Sequence, residues 1–279
     1  MKKMHFRLAL TIMLLLGCFA EAYGQHFEYG QFDYEVLTDR TCAFVEVSSI
    51  KRRIEIGEDI VIPETVSYQN KSYVVTEINS GFYSAKSIHI PKSVKKISRM
   101  SRSDRCESIT VDQNNPYFDS RDNCNAIIET ASNTLIAGCK NSKIPSGVTS
   151  IGSHAFENIP IVSISIPSSV KQIGEYAFAR NKNLKHISIE PGLSSIGDEC
   201  FLGCENLTSI TLPSSISQIG FCAFDDCRKL SVTILSNIPL ELLEQALCVV
   251  EEIHVLAKYK DNYLEWGGCR AKIIADIKE

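Results

Sequence analysis

The stretch SIPSSVKQIGEYAFARNKNLKHISIEPGLSSIGDECFLGCENLTSITLPSSISQIGFCAF, residues 165–224, states one pattern three times. An apolar residue next to or near a proline is followed by small polar residues, an apolar residue, an Ile-Gly pair and an aromatic. Ile-Gly pairs begin at Ile151, Ile173, Ile196 and Ile219, at intervals of 22, 23 and 23. Four residues after each stands Ala155, Ala177, Cys200 or Ala223, and each is followed by a phenylalanine: Phe156, Phe178, Phe201 and Phe224. Seven residues before each stands Ile144, Ile166, Ile189 or Leu212, and proline directly follows three of these four. Ile90 and Ile97 share the same offset. A fixed period in this range is the signature of a solenoid, in which successive coils stack on one another.

One coil can be read from NLTSITLPSSISQIGFCAFDDC, residues 206–227. Leu207, Ile210 and Leu212 are expected to point inward from a short strand, with Thr208 and Thr211 outward. Pro213 forbids continuation of the ladder, and Ser214-Ser215 turn the chain. Ile216 and Ile219 re-enter the core on a second short extended segment, Gly220 is expected to permit a bend, and Phe224 fills the wide end. No coil can bury these side chains alone, so neighbours must stack with their strands parallel at about 4.8 Å. The predicted internal columns are Ile151, Ile173, Ile196 and Ile219, and Phe156, Phe178, Phe201 and Phe224. Each buried Leu, Ile or Phe stabilises the fold by roughly 1.5–3 kcal/mol.

The motifs IPSSVKQIGEYAFA and LPSSISQIGFCAFDDC closely resemble the BspA-like leucine-rich repeats of secreted and surface proteins from anaerobic bacteria. The resemblance extends over nearly all of the chain after its first 24 residues. FDYEVL, IVIPETV and KSYVVTEI resemble that family's N-terminal start. VDQNNPYFDSRDNCNAIIETASNTLIAGCKNSKIPSGVTSIG resembles its hairpin insertion, and EIHVLAKYKDNYLEWGGCRAKII its closing segment. The repeat departs from commoner leucine-rich repeats: it lacks an asparagine at the ladder position, and its outer segment reads as extended rather than helical. The fold implied is a right-handed, β-rich leucine-rich-repeat solenoid with parallel strands, a β-hairpin-rich N-terminal cap and short C-terminal helices. The function implied is non-catalytic, adhesion-like binding of a protein or cell-surface ligand, with host extracellular-matrix proteins as one partner class. The alternative is a periplasmic or envelope scaffold, or a glycan-binding module.

The start of the chain, MKKMHFRLALTIMLLLGCFAEAYGQ, has Lys2, Lys3 and Arg7, then an apolar run from Leu8 to Phe19, then small residues. This is the layout of a secretory signal peptide, too short for a comfortable membrane span. Cleavage after Gly24 is expected, placing the product outside a bacterial cell or on its surface. The rival reading lipidates Cys18 as a lipoprotein anchor. The remaining organisation is a cap over residues 25–60, a solenoid over 61–235 with a hairpin insertion at about 112–143, and a C-terminal cap over 236–279. Ile78 and Tyr83 are assigned the Ile-Gly and Phe roles of an early coil, and the coil near residue 100 is irregular. The inserted hairpin turns at Thr130–Asn133. Pro239 is placed to start a short helix, LAKYKDNYLEW is read as another, and Trp266 as the lid of the C-terminal end.

A net charge of −4 argues against a nucleic-acid partner, which calls for a basic face. There is no G-x-S-x-G, no H-E-x-x-H and no phosphate-cradling glycine loop, and no histidine sits in a nucleophile-like motif, so neither an enzyme nor a cofactor is expected. A hydrolase could hide only in the irregular part, residues 98–143. The cysteines are read as small buried hydrophobes, since Cys204 and Cys227 take a repeat position held elsewhere by Ile159 and Asn181. Alternatives are a Cys204–Cys227 disulfide, a Cys124–Cys139 disulfide across the hairpin, and a zinc site at Cys200, Cys204, Cys222 and Cys227. The candidate ligand-facing surface is the outward row of the repeated strand, His89, Thr110, Ser165, Ser188 and Thr211, flanked by Lys86, Lys185 and His186. Stacking should bring these into one line, although exposed Ser and Thr also simply suit a flat sheet.

Overall fold

The alternating segment SITL becomes strand Ser209–Leu212, with Ile210 and Leu212 inside and Ser209 and Thr211 outside. Pro213 then ends the ladder and opens a turn closed by a hydrogen bond from Ile216 N–H to Pro213 O, 3.0 Å. The same turn recurs after Pro91, Pro145 and Pro167. A second, two-residue strand follows at Gln218–Ile219. The computed structural model describes residues 24–30, 32–47, 59–79, 85–98, 104–238, 243, 245–247, 250–263 and 272–277. The expected signal peptide and Cys18, and the roles given to Tyr83, Pro239 and Trp266, fall on residues outside these, apart from Gly24.

Each regular coil has three sides. The front side is a six-stranded parallel sheet made by Ser163–Ile166, His186–Ile189, Ser209–Leu212, Ser231–Ile234, Glu252–Leu256 and Lys272–Ile277, in chain order. A second side stacks Ser150–Ile151, Gln172–Ile173, Ser195–Ile196 and Gln218–Ile219, so that Ile151, Ile173, Ile196 and Ile219 are direct ladder partners. The third side is a run of turns. Its N–H groups still reach the next coil: His154, Phe156 and Asn158 donate to the carbonyls of Glu175, Ala177 and Ala179 at 2.8, 2.7 and 2.8 Å. This ladder of turns needs left-handed residues at two positions per coil, His154, Tyr176, Glu199 and Cys222, then Asn158, Arg180, Gly203 and Asp226. Nothing in the residue types of the first set forecasts that conformation. It costs of order 1–3 kcal/mol at a non-glycine residue and persists only where surrounding contacts impose it, here the inter-coil bonds.

Inside, Phe156, Phe178, Phe201 and Phe224 form the expected column. Neighbouring rings lie 5.2, 5.4 and 5.2 Å apart and within 8° of parallel, and all four are fully buried. Gly138 sits over the first ring, because a Cβ there would fall 2.0 Å from Phe156 Cε1. The glycines of the Ile-Gly pairs serve a different purpose from the expected bend. Gly174, Gly197 and Gly220 have no positive φ; instead a Cβ on Gly197 would lie 2.6 Å from Glu175 N and 2.7 Å from the Gly174 carbonyl carbon. They are glycines because the coils approach backbone to backbone.

The N-terminal end is closed by hairpins, as expected. Antiparallel strands His26–Tyr29, Phe32–Val36 and Thr41–Val47 lead to a parallel pairing of the third with Lys71–Ile78. That strand forms a further hairpin with Thr65–Tyr68, turning through Gln69 and Asn70 at positive φ. Ile78 pairs with Ile97, which carries the isoleucine column into this end. A three-stranded parallel sheet, Asp59–Val61, Ser87–Ile90 and Ser108–Val111, fronts it.

The inserted hairpin, Ala126–Glu129 against Thr134–Gly138, turns at residues 130–133 and divides the interior. Ala126, Ile128 and Leu135 pack into the core of the regular coils, whereas Ile127, Ala137 and Cys139 pack into the N-terminal core. An unbroken apolar run is the expected composition for a strand buried on both faces. At the other end, helical residues Leu243, Gln245 and Ala246 and a 3-10 segment, Ala257–Tyr263, cover the last coil. Tyr263 is buried there, and its hydroxyl lies 3.1 Å from both Ile238 N and Ile238 O.

Two substitutions test this stacking by urea denaturation. Phe178→Ala, which empties the middle of the ring column, should cost about 3–5 kcal/mol. Gly197→Ala, which forces neighbouring coils apart without removing an apolar atom, should cost about 1–3 kcal/mol as overpacking.

Candidate binding surface

Strand alternation places two outward residues on each front strand. The first file runs Ser163, His186, Ser209, Ser231, Glu252 and Lys272, each paired with the next. The second contains Ser165 paired with Ser188, then Thr211 paired with Thr233, which pairs with His254. Ser165, Lys185, His186, Ser188 and Thr211 are all exposed. Among the described residues, no hydrogen-bond partner engages the hydroxyls of Ser165, Ser188 or Thr211. Their free donors and acceptors face solvent on a rigid, evenly spaced lattice.

His89 and Thr110 belong elsewhere. They pair with each other in the separate three-stranded sheet, and His89 Nδ1 lies 3.0 Å from Thr110 Oγ1. The single line expected from His89 to Thr211 is therefore broken in two. The hairpin inserted between the two sets of coils prevents strand Ser108–Val111 from pairing with Ser163–Ile166. Lys86 is exposed on the far side of that break.

The structure extends the row in the other direction. Thr233 and His254 continue the second file, and Glu252 and Lys272 end the first. Thr233 stands 22 residues after Thr211 in SVTI, so the repeat offset could have found it. His254 lies in a segment whose coil spacing no longer follows the repeat. Charges cluster here: His254 Nδ1 is 3.1 Å from Asp276 Oδ1 and its Nε2 3.5 Å from Glu252 Oε2, with Lys272 Nζ 3.7 Å from Glu252 Oε1.

The cysteines have a role beyond filling space. Asn181 is fully buried and its Nδ2 donates to Phe156 O and Phe178 O, at 2.8 and 2.7 Å. At the equivalent position of the next two coils, Cys204 Sγ donates to Phe178 O at 3.2 Å and Cys227 Sγ to Phe201 O at 3.1 Å. The reading of this position as a purely hydrophobic ladder is thus corrected. It is a polar ladder, written with one asparagine and two thiols, each satisfying a backbone carbonyl of the preceding coil. Burial pushes the Cys200 thiol far above its usual range. No disulfide joins Cys204 to Cys227 or Cys124 to Cys139: all four are thiols. Cys124 packs in the core of the regular coils and Cys139 in the N-terminal core. No group of three or more His, Cys, Asp or Glu side chains among the described residues is placed to hold a metal. This removes the proposed zinc site, whose Cys204 and Cys227 sulfurs are committed to carbonyls.

One concavity, a cavity of about 550 Å³, opens beside the irregular coil, between Ile88, Ile97 and Ile109 on one wall and Ile136, Ala155 and Ile159 on the other. Three ionisable groups at its rim are held by partners. Lys96 Nζ lies 3.0 Å from Glu77, His154 Nδ1 2.6 Å from Glu157, and Glu129 accepts from Ser132 at 2.5 Å. Outside it, on the turn side, His154 stacks on Tyr176, ring centroids 5.1 Å apart. The Tyr176 hydroxyl donates to Glu199 Oε1 at 2.6 Å, which pushes its pKa up to about 12.

Comparison with known proteins agrees with this repeat. Residues 123–231 match the profile of the BspA type leucine rich repeat region in six copies. Among solved structures, the pneumococcal vaccine antigen PcpA is similar at 15% identity over 92% of this chain and 100% of that one, with a TM-score of 0.49. A leucine rich cell surface protein from Faecalibacterium prausnitzii is similar at 16% identity over 89% of this chain and 72% of that one, TM-score 0.43. A leucine-rich repeat protein from Bacteroides ovatus is similar at 18% identity over 89% and 76%, TM-score 0.43. No curated protein sequence matches the chain. Among the described residues no helix is long and apolar enough to cross a membrane.

The polar ladder and the hydroxyl file should respond in opposite ways to truncation. Asn181→Ala removes two buried hydrogen bonds, leaving Phe156 O with the Ile159 N–H and Phe178 O with Cys204 Sγ, and should lower stability by about 1–3 kcal/mol. Ser188→Ala on the exposed face should stay within about 0.5 kcal/mol of the parent. Paired urea melts check both.

Proposed function

We propose that this BspA-type leucine-rich-repeat protein is exported to the outside of a bacterial cell and there binds another macromolecule, without catalysis, in an adhesion-like role. The observation that carries the reading is the front sheet between Ser163 and Thr233. It is a flat parallel lattice whose outward hydroxyls are spent on no internal bond. Extended faces of stacked repeats are the usual contact surfaces of such proteins. The first 24 residues, with their basic start and apolar run, support export. The partner class is a protein ligand on another cell or in a host extracellular matrix.

A second reading, an envelope scaffold or glycan-binding module facing the periplasm, draws on the same sheet. Rows of free Ser and Thr hydroxyls with His186 and Lys185 beside them also suit a polyhydroxylated chain.

Residues 25–279, applied to arrays of matrix proteins and of glycans, separate the two. Binding to matrix proteins is expected, with at least about tenfold loss, roughly 1.4 kcal/mol, in a Ser188→Arg/Thr211→Arg double variant whose melting temperature is unchanged. Glycan binding lost in the same variant would favour the module. Full affinity in that variant would remove the front sheet as the contact surface. Mass spectrometry of the exported protein should find Gln25 at the N-terminus; a lipidated Cys18 would establish the anchored form.

A further inference from the structure

Two of the thiols stand apart from the polar ladder. Cys106 precedes strand Ser108–Val111, and Cys139 follows the second strand of the inserted hairpin. The two stretches run side by side: Lys140 N–H donates to Cys106 O at 3.1 Å, and Lys140 Nζ reaches Glu107 Oε1 at 3.3 Å across the same seam. Both side chains are buried in the N-terminal core, where Cys106 Sγ donates to Ser108 O at 3.4 Å and Cys139 Sγ to Asn125 O at 3.3 Å, and the two thiols are near enough to perturb each other's ionisation. Ser142 anchors the far side, its Oγ accepting from Cys139 N–H at 2.7 Å and lying 3.6 Å from Cys139 Sγ. Cys106 also lines the cavity beside the irregular coil, so the pair adjoins a space open to a small reagent.

We propose that Cys106 and Cys139 are a disulfide-forming pair, whose closure ties the inserted hairpin covalently to the coil before it. The proposal goes beyond the binding role and holds whether or not the front sheet takes a ligand. The oxidant is a small or protein disulfide, RSSR. The Cys139 thiolate attacks one of its sulfurs, the S–S bond breaks, and RS⁻ leaves and takes up a proton. Cys106 then loses its proton and attacks the Cys139 sulfur of the mixed disulfide, expelling the second RS⁻. Two protein thiols are oxidised by two electrons in all, and RSSR becomes two RSH.

Cys139 is the attacking group because the thiolate is the nucleophile and its surroundings favour that form. The hydrogen bond from the Cys106 thiol, with others from the Asn141 backbone and Ser142, holds its pKa at about 7 against burial. The Glu107 carboxylate opposes this, and Lys140 stands on that carboxylate. Cys106 shifts the other way, upward, chiefly through the same bond to Cys139 and through burial.

The test uses the reduced chain, residues 25–279, exposed to glutathione disulfide, blocked with iodoacetamide and digested without reduction. Trypsin leaves Cys124 and Cys139 in one peptide, so a second cut after Glu129 is required. The expected product links the Cys106 peptide to the Cys139 peptide, two hydrogens lighter than their sum, and forms faster as pH rises through about 7. In Cys106→Ala, Cys139 should instead accumulate as its mixed disulfide with glutathione. Cys139 linked to Cys124, or Cys106 and Cys139 alkylated as fully as in the chain never exposed to glutathione disulfide, both blocked under denaturing conditions, would overturn the pairing. A rate that climbs only near pH 9, the ordinary thiol value, would overturn Cys139 as the attacking group.

Discussion

Backbone hydrogen bonds between successive coils impose one spacing on three sides of the molecule at once, and Gly174, Gly197 and Gly220 are what allow the coils to reach it. A methyl group on any of them would lie within about 3 Å of the backbone one coil earlier. With that spacing set, the phenylalanine rings must stack nearly parallel, the isoleucines must meet their counterparts, and the turn side must adopt left-handed residues to bring its N–H groups onto the next coil's carbonyls. The strain at His154, Tyr176, Glu199 and Cys222 is a consequence of this shared spacing.

The same spacing explains the polar ladder. Turns on the third side leave the carbonyls of Phe156, Phe178 and Phe201 inside the core, where an unpaired acceptor is costly. Asn181 answers two of them, and Cys204 and Cys227 answer one each. A thiol is small enough to fit beside the ring column and polar enough to donate, so cysteine here stands for asparagine as well as for a small hydrophobe.

The inserted hairpin departs from the repeat in the middle of the solenoid, and it shapes the surface as much as the interior. By facing one core with Ile128 and Leu135 and the other with Ile127, Ala137 and Cys139, it seals two half-solenoids together. It also separates the front sheet near His89 and Thr110 from the one that begins at Ser163. The longer regular front sheet is therefore the C-terminal one, and the irregular seam is where the segments carrying Cys106 and Cys139 run side by side.

The sequence by itself determined the solenoid, because the Ile-Gly and Phe periods repeat an obligation that only stacking can meet. It also located the hairpin turn at residues 130–133 and the inward and outward faces of the repeated strands, since alternation is a local property. Tertiary structure alone decided which outward residues share a sheet, why the glycines are required, and which carbonyl each buried thiol meets. These depend on distances between residues some 22 or more positions apart, and at the hairpin on a break in the period that no local pattern records. The left-handed turns and the continuation of the hydroxyl file through Thr233 to His254 belong to the same class, being imposed on each coil by its neighbour.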